Sequence, residues 1–161
     1  MTTNRILDYY GASSAFTITL ASLATSAVGV GQQSTIVDNS ATKEMWAKIF
    51  VKITQGAGLT GNKGAYVYLI LVDDGNPVHR SDNAGAADAG ITILNASPIM
   101  TLKNKAVPGD GDILYGEALV RLAVPKFGIA IVHDTGANLD ATAGNHWARY
   151  ILLGPDIQAA A

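Results

Sequence analysis

The chain has 161 residues, of which 48% are hydrophobic and 15% are charged, and it contains no cysteine. This length suits a single domain, and so apolar a composition excludes a disordered chain, while the missing cysteines exclude a disulfide framework or a thiolate site. The formal net charge of -2 argues against a nucleic-acid binder, which needs a basic stripe to displace counterions from phosphates.

The N-terminal stretch, residues 1–13, is predicted to be an arm or a short turn that leads into the domain, residues 14–161. Its large apolar and aromatic side chains include Ile6, Leu7, Tyr9 and Tyr10. Apolar residues on a chain terminus need a partner to cover them, so this arm is our candidate for a clasp between subunits.

The first half of the domain contains four predicted strands. Apolar residues alternate with Thr from Phe16 to Ala21 and with Lys and Thr from Trp46 to Thr54, which is the period of a half-buried strand. A short strand is expected at Thr35–Val37. Both faces are apolar from Ala65 to Val72, so this strand is predicted to be covered on both sides.

The second half begins with a strong turn at residues 73–77 and a loop rich in Asp, Asn, Ala and Gly at residues 78–90. A second loop, Asp134 to Asn145, is long enough to be an exposed feature. Five further strands are predicted: Ile91–Leu94, Pro98–Leu102, Leu119–Val124, Ile129–His133 and Trp147–Leu153.

Eight or nine short strands without any long 3.6-residue periodicity indicate an all-β protein. The strand count favours a two-sheet β-sandwich with a jelly-roll-like arrangement over a closed barrel.

No targeting or membrane segment is predicted. Thr and Ser interrupt the stretch from Ala15 to Gly31 too often for the apolar core of a signal peptide. The longest apolar run, Ala65 to Val72, falls far short of the roughly 20 residues that cross a bilayer. We therefore expect a protein that is neither exported by the usual route nor embedded in a membrane.

Gly56 to Gly61 matches the GxGxxG pattern of dinucleotide-binding sites, and Asp73 lies where a ribose-binding acid is expected. Such a site needs a helix directly after the glycines, because its N-terminus holds the pyrophosphate. Here a strand begins at Ala65, so the interpretation is a glycine-rich hairpin loop. Lys63 lacks the preceding Gly and the following Ser or Thr of a P-loop.

Possible metal ligands are scattered along the sequence. Asp110-Gly111-Asp112 opens like a calcium loop, but Tyr115 stands where that loop needs glycine, so a turn is predicted. The three histidines, His79, His133 and His146, are widely spaced. His133 and His146 flank the second loop and could approach each other if their strands pair, but two histidines without a third ligand make a poor zinc site.

The sequence also lacks the material for acid–base or nucleophilic catalysis. It has no GxSxG elbow, and its only two glutamates are Glu44 and Glu117. Most aspartates lie in predicted turns, where their side chains suit the backbone. We predict that the protein is not an enzyme and that it uses no cofactor or metal.

Several stretches resemble small virion proteins of tailed bacteriophages, above all Pro125 to Tyr150. The opening Ala15–Leu23, the segment Ser34–Asn39 and the strand at Tyr66–Tyr68 resemble them as well. The resemblance spans roughly residues 14–150, and the small all-β capsid decoration (cement) proteins are the most similar class.

This resemblance implies a structural protein on the outer capsid surface of a virion. Such a protein stabilises the assembled capsid by binding between major capsid protein subunits, without contacting nucleic acid or membrane. Closed symmetry is the default for such parts, so we expect a dimer or a trimer.

Two alternatives share these features. A tail or baseplate component has the same composition, and a carbohydrate-binding module needs an exposed aromatic platform. Trp46, Trp147 and six tyrosines are available for a platform, although several of them lie in strands that are predicted to be buried.

Overall fold

The structure is a computed structural model that describes residues 5–26, 29–72, 82 and 85–158. For residues 5–9 and 156–158 it describes the backbone pairing alone. The predicted turn at 73–77 and residues 78–81, 83 and 84 of the predicted loop at 78–90, His79 among them, lie outside the described residues, as do residues 1–4 of the predicted arm.

The described part of the chain is nearly all β-structure, as the sequence predicted. Its regular helical structure is one 3-10 turn at Ala143–Asn145. The strands are β1 (Arg5–Tyr10), β2 (Ser14–Ala15), β3 (Val30–Gln33), β4 (Val37–Asp38), β5 (Trp46–Thr54), β6 (Gly64–Val72), β7 (Ala89–Thr92), β8 (Ser97–Lys103), β9 (Ile113–Arg121), β10 (Lys126–His133) and β11 (Trp147–Gln158).

Two antiparallel sheets pack face to face. The first sheet has the order β1-β11-β5-β9, and the short β2 also pairs with β11. The second sheet has the order β7-β3-β10-β6-β8, and the short β4 pairs with β10. If the extra edge strand β7 and the two short strands are set aside, the chain changes sheet at every connection except the one from β6 to β8. This order of strands is the jelly-roll arrangement.

The core lies between the sheets because alternate residues of each strand point inward. In β5 the inward positions are Ala47, Ile49, Val51 and Ile53, and all four side chains are fully buried. An aromatic cluster closes one part of this core, with the ring of Phe127 5.9 Å from Phe16 and 5.5 Å from Tyr150. Burying one large apolar side chain contributes about 1.5–3 kcal/mol.

Strand β6 is covered on both faces, as its apolar pattern predicted. Val67 and Leu69 belong to the core between the sheets, while Ile70 and Val72 form a second buried cluster with Ala130 of β10. The strand predicted at Trp46–Thr54 is confirmed at both ends.

Other predicted boundaries are wrong. Residues 16–20 alternate in burial as expected but form no sheet ladder, because the short β2 just before them makes the pairing with β11. Strand β9 begins at Ile113 rather than Leu119, and its inward residues include Gly116, which breaks the apolar pattern on which the prediction depended.

Part of the predicted arm is a strand at the edge of the first sheet. Residues 5–10 pair with residues 153–158 of β11, beyond the point where β5 begins at Trp46. The two ends of the described chain therefore form a two-stranded ribbon that continues the sheet. Among the described residues, no helix is long and apolar enough to span a bilayer.

Candidate functional site

The outer face of the first sheet carries most of the exposed aromatic residues and a cluster of cations. We call it the aromatic–basic face, and it is formed by the outward residues of three paired strands and the end of β1. The strand registers place these residues on that face: Tyr10, Trp46, Lys48, Phe50, Lys52, Ile113, Tyr115, Glu117, Leu119, Arg121, Trp147, Arg149, Ile151 and Leu153.

At one end of this face, two aromatic rings flank a lysine. Lys52 of β5 lies opposite Tyr115 on one side and Trp147 on the other. The rings of Tyr115 and Trp147 are 5.9 Å apart at an interplanar angle of 66°, and the guanidinium of Arg149 lies 5.7 Å from the Trp147 ring. Edge-on ring contacts and cation–π contacts fix the orientation of these side chains.

The charge of the face differs in sign from that of the chain. It holds four cations, Lys48, Lys52, Arg121 and Arg149, and one anion, Glu117. Glu117 Oε1 is 2.9 Å from Lys48 Nζ, and no carboxylate of the described residues pairs with the other three cations. A chain of net charge -2 thus presents a locally positive surface.

The same face is unusually apolar for a surface. Nine large apolar side chains are strongly exposed among the described residues, and five of them lie here. The five are Tyr10, Trp46, Ile113, Tyr115 and Leu119, with exposed fractions between 42% and 70%. Clustered apolar side chains that remain exposed mark binding surfaces, because folding alone leaves them in contact with water.

A groove lies at the other end of this face, where β1 and β11 continue beyond β5. Its volume is about 530 Å³, and it is lined in part by Tyr10, Trp46, Leu119 and the Lys48–Glu117 ion pair. This volume falls within the roughly 300–1,000 Å³ of typical ligand pockets. The groove combines an aromatic wall with one paired donor and acceptor.

His133 is held in the interior by hydrogen bonds. Its Nε2 donates to the carbonyl oxygen of Leu23 at 2.8 Å, and its Nδ1 lies 3.0 Å from the hydroxyl of Thr135. Burial lowers the pKa of His133 below 6.5, although the hydrogen bond to Leu23 opposes this shift.

His146 is also engaged by the backbone. Its Nδ1 accepts from the Thr54 amide at 3.2 Å, and its Nε2 donates to the Asp140 carbonyl at 2.9 Å. Strand β10, which ends at His133, and strand β11, which follows His146, lie in different sheets and do not pair, so the condition for the approach considered from the sequence is not met. The described residues contain no group of three or more potential metal ligands.

The glycine-rich segment from Gly56 to Gly61 crosses from the first sheet to the second, so the hairpin interpretation is wrong. Its two end glycines lie against the backbone: an added Cβ would stand 2.4 Å from the Asn138 carbonyl oxygen and 1.9 Å from that of Ala106. The segment leads directly into β6 without a helix, so these glycines serve close packing between loops.

The predicted turn at Asp110–Asp112 is confirmed. Asp112 accepts a hydrogen bond from the Gly109 amide at 2.7 Å and forms an ion pair with Lys105 at 3.0 Å. The Gly109 hydrogen bond, aided by Lys105, lowers the pKa of this carboxyl. These contacts give the carboxylate a structural role.

No family model matches the chain, and neither the curated proteins nor the solved structures include one that is significantly similar to it.

The sequence identified only part of the aromatic–basic face. Trp46, Trp147 and the six tyrosines, which include Tyr115, were platform candidates, whereas Leu119 and Arg149 were not singled out. The alternation in β9 could have indicated this face. Its odd-numbered residues from Ile113 to Arg121, which are Ile, Tyr, Glu, Leu and Arg, are large and all lie on one side of the strand.

Proposed function

We propose that the chain is a structural protein of a bacteriophage virion that decorates and stabilises the assembled capsid. In this proposal it binds on the outer surface, between subunits of the major capsid protein. The observation that supports a docking role is the aromatic–basic face, which is a large exposed surface on a rigid sheet. The resemblance of residues 14–150 to phage virion proteins supports the capsid as its target.

The composition of the face matches a protein interface better than a small-molecule site. Aromatic residues and Arg are enriched at the buried centres of protein interfaces, and this face presents Trp46, Tyr115 and Arg149 on neighbouring strands. Exposed aliphatic side chains such as Ile113 and Leu119 gain most from burial against another protein surface. The excess of cations on this face favours binding to an acidic surface of the partner.

Co-sedimentation tests this proposal with expanded empty heads, free capsid subunits and tails of the phage that encodes the chain. We expect strong binding to heads and little to free subunits, because contact with two subunits at once adds avidity. Equal binding to heads and free subunits contradicts the junction model. Binding to tails alone favours the alternative role in the tail or baseplate.

A pair of charge reversals tests whether the face makes the contact. We expect Lys52→Glu and Arg149→Glu each to weaken head binding by about tenfold or more, because each places a carboxylate against an acidic partner. The matched control is Lys103→Glu, an exposed lysine on β8 of the second sheet. Equal loss in the control would show that the face is not the contact.

The groove favours a second candidate function, the binding of a neutral saccharide. Trp46 and Tyr10 offer surfaces on which sugar rings stack, and the Lys48–Glu117 pair offers a donor and an acceptor for hydroxyl groups. Titration with cellohexaose, chitohexaose and mannohexaose, followed by tryptophan fluorescence and calorimetry, tests it.

If the groove binds saccharide, Trp46→Ala should abolish the calorimetric signal. Trp147→Ala should leave it unchanged, since Trp147 lies opposite Lys52 near the far end of β5. No heat with any of the three sugars, or equal loss in both variants, would count against a saccharide site in the groove.

A further inference from the structure

We infer that two copies of the chain pair through the free edge of β9, which joins their first sheets into one continuous antiparallel sheet. This inference goes beyond the proposed function and does not depend on it, because it concerns the chain alone. It would set two aromatic–basic faces side by side, as a bivalent docking surface requires.

The four edge strands of the two sheets differ in how they are protected. Edges are usually blunted by short length, proline, bulges or charges, because unpaired backbone groups recruit other strands. Strand β7 has only four residues, and β8 contains Pro98 and a register irregularity opposite Val67 and Tyr68. Strand β1 has six residues, among them Arg5 and Asp8.

Strand β9 is not protected by short length, proline or a bulge, although it carries the charged residues Glu117 and Arg121. It runs for nine residues in unbroken register with β5, without proline or bulge, and no strand of the described chain pairs with its other side. Behind it, the side chains of Met100 and Leu102 from β8 lie against Gly116, so its inner side is supported. A long, regular and supported edge is suited to accept another strand.

The hydrogen bonds at the two ends of β9 show which backbone groups are free. The Leu122 amide donates to the Met45 carbonyl, and the Asp112 carbonyl accepts from the Gln55 amide. Even-numbered residues therefore bond to β5, and the alternation of an antiparallel ladder turns the backbone groups of odd-numbered residues outward. These residues are Ile113, Tyr115, Glu117, Leu119 and Arg121.

The charges on this edge complement each other in one two-fold register. If Leu119 of one copy lies opposite Leu119 of the second, each Glu117 lies opposite an Arg121, which gives two ion pairs around an apolar centre. A pair centred on Glu117 would set two carboxylates against each other, which is destabilising. Stacking the two faces is also disfavoured, because each carries an excess of cations.

Sedimentation equilibrium of the full chain should show a dimer of twice the 16.7 kDa chain mass. Glu117→Arg and Arg121→Glu alone should each raise the dissociation constant by about tenfold or more, because each places like charges opposite each other twice. An equimolar mixture of the two variants should dimerise again, since both mixed pairs are then of opposite charge.

Leu119→Pro tests the backbone pairing. Proline removes an outward amide that β5 does not use, so the fold should persist while dimers are lost. Leu119→Ala is the control, which keeps the amide and should still dimerise, although more weakly. A wild-type monomer at millimolar concentration, a trimer, or a mixture of the two charge variants that stays monomeric would overturn the inference.

Discussion

At the scale of single residues, His133 is a buried titratable side chain whose pKa is lowered by the fold. Burial holds its pKa below 6.5, and an unfolded chain restores the ordinary value. As the pH falls below about 6.5, His133 therefore becomes protonated in the unfolded chain before it does in the native chain. The contribution of His133 to the free energy of unfolding is fully present above that pH, and it is lost as the pH drops towards the native pKa of His133.

We expect the urea midpoint of unfolding to fall between pH 7.5 and pH 5.0. His133→Gln should lower the midpoint at pH 7.5, because it removes the buried ring and its contact with Leu23, and it should flatten the pH dependence. The carboxyls of Asp38, Asp112 and Asp140 have pKa values lowered below 3.8 and so titrate outside this range. If the urea midpoint of the variant depends on pH as steeply as that of the wild type, another titrating group causes the dependence.

The sequence could indicate the types of residue at the candidate site but not their grouping. Lys52, Tyr115 and Trp147 lie on three strands that are far apart in the chain, and only the sheet register makes them neighbours. Glu117 was one of two glutamates with no evident partner in the sequence. Its partner, Lys48, is on β5, which the sequence does not connect with β9.

At the scale of elements, the sequence predicted well those strands that bury one face against a large core. Strand β5 has a clean alternation from Trp46 to Thr54 because every second residue faces the core. The strand predicted at Leu119–Val124 missed the first six residues of β9. Gly116 and Ala118 occupy inward positions there, where small side chains leave room for Met100 and Leu102. A pattern based on large apolar residues does not detect such a strand.

The connections between elements were less predictable than the elements. The loop at Gly56–Gly61 has the length and composition of a hairpin, yet it joins strands of opposite sheets. Likewise, β10 and β11 are consecutive but lie in different sheets, so the strands next to His133 and His146 do not pair. Local sequence sets where a strand ends, whereas the choice of sheet depends on how distant strands share the core.

At the scale of the whole molecule, both sheets depend on one core. Inward residues of β5, such as Ile49, and of β10, such as Phe127, belong to the same buried cluster. Neither sheet keeps its apolar face covered without the other. A domain of this size with one shared core is expected to unfold in a single cooperative step.

Phe127→Ala, in the second sheet, tests this cooperativity. We expect it to cost about 3–5 kcal/mol, because Phe127 is fully buried and contacts the rings of Phe16 and Tyr150. Tryptophan fluorescence reports the first sheet, since Trp46 and Trp147 both lie there, whereas far-ultraviolet circular dichroism reports both sheets. If the domain is one unit, the two signals shift to the same lower midpoint; a fluorescence midpoint that stays at the wild-type value would mean that the first sheet unfolds independently.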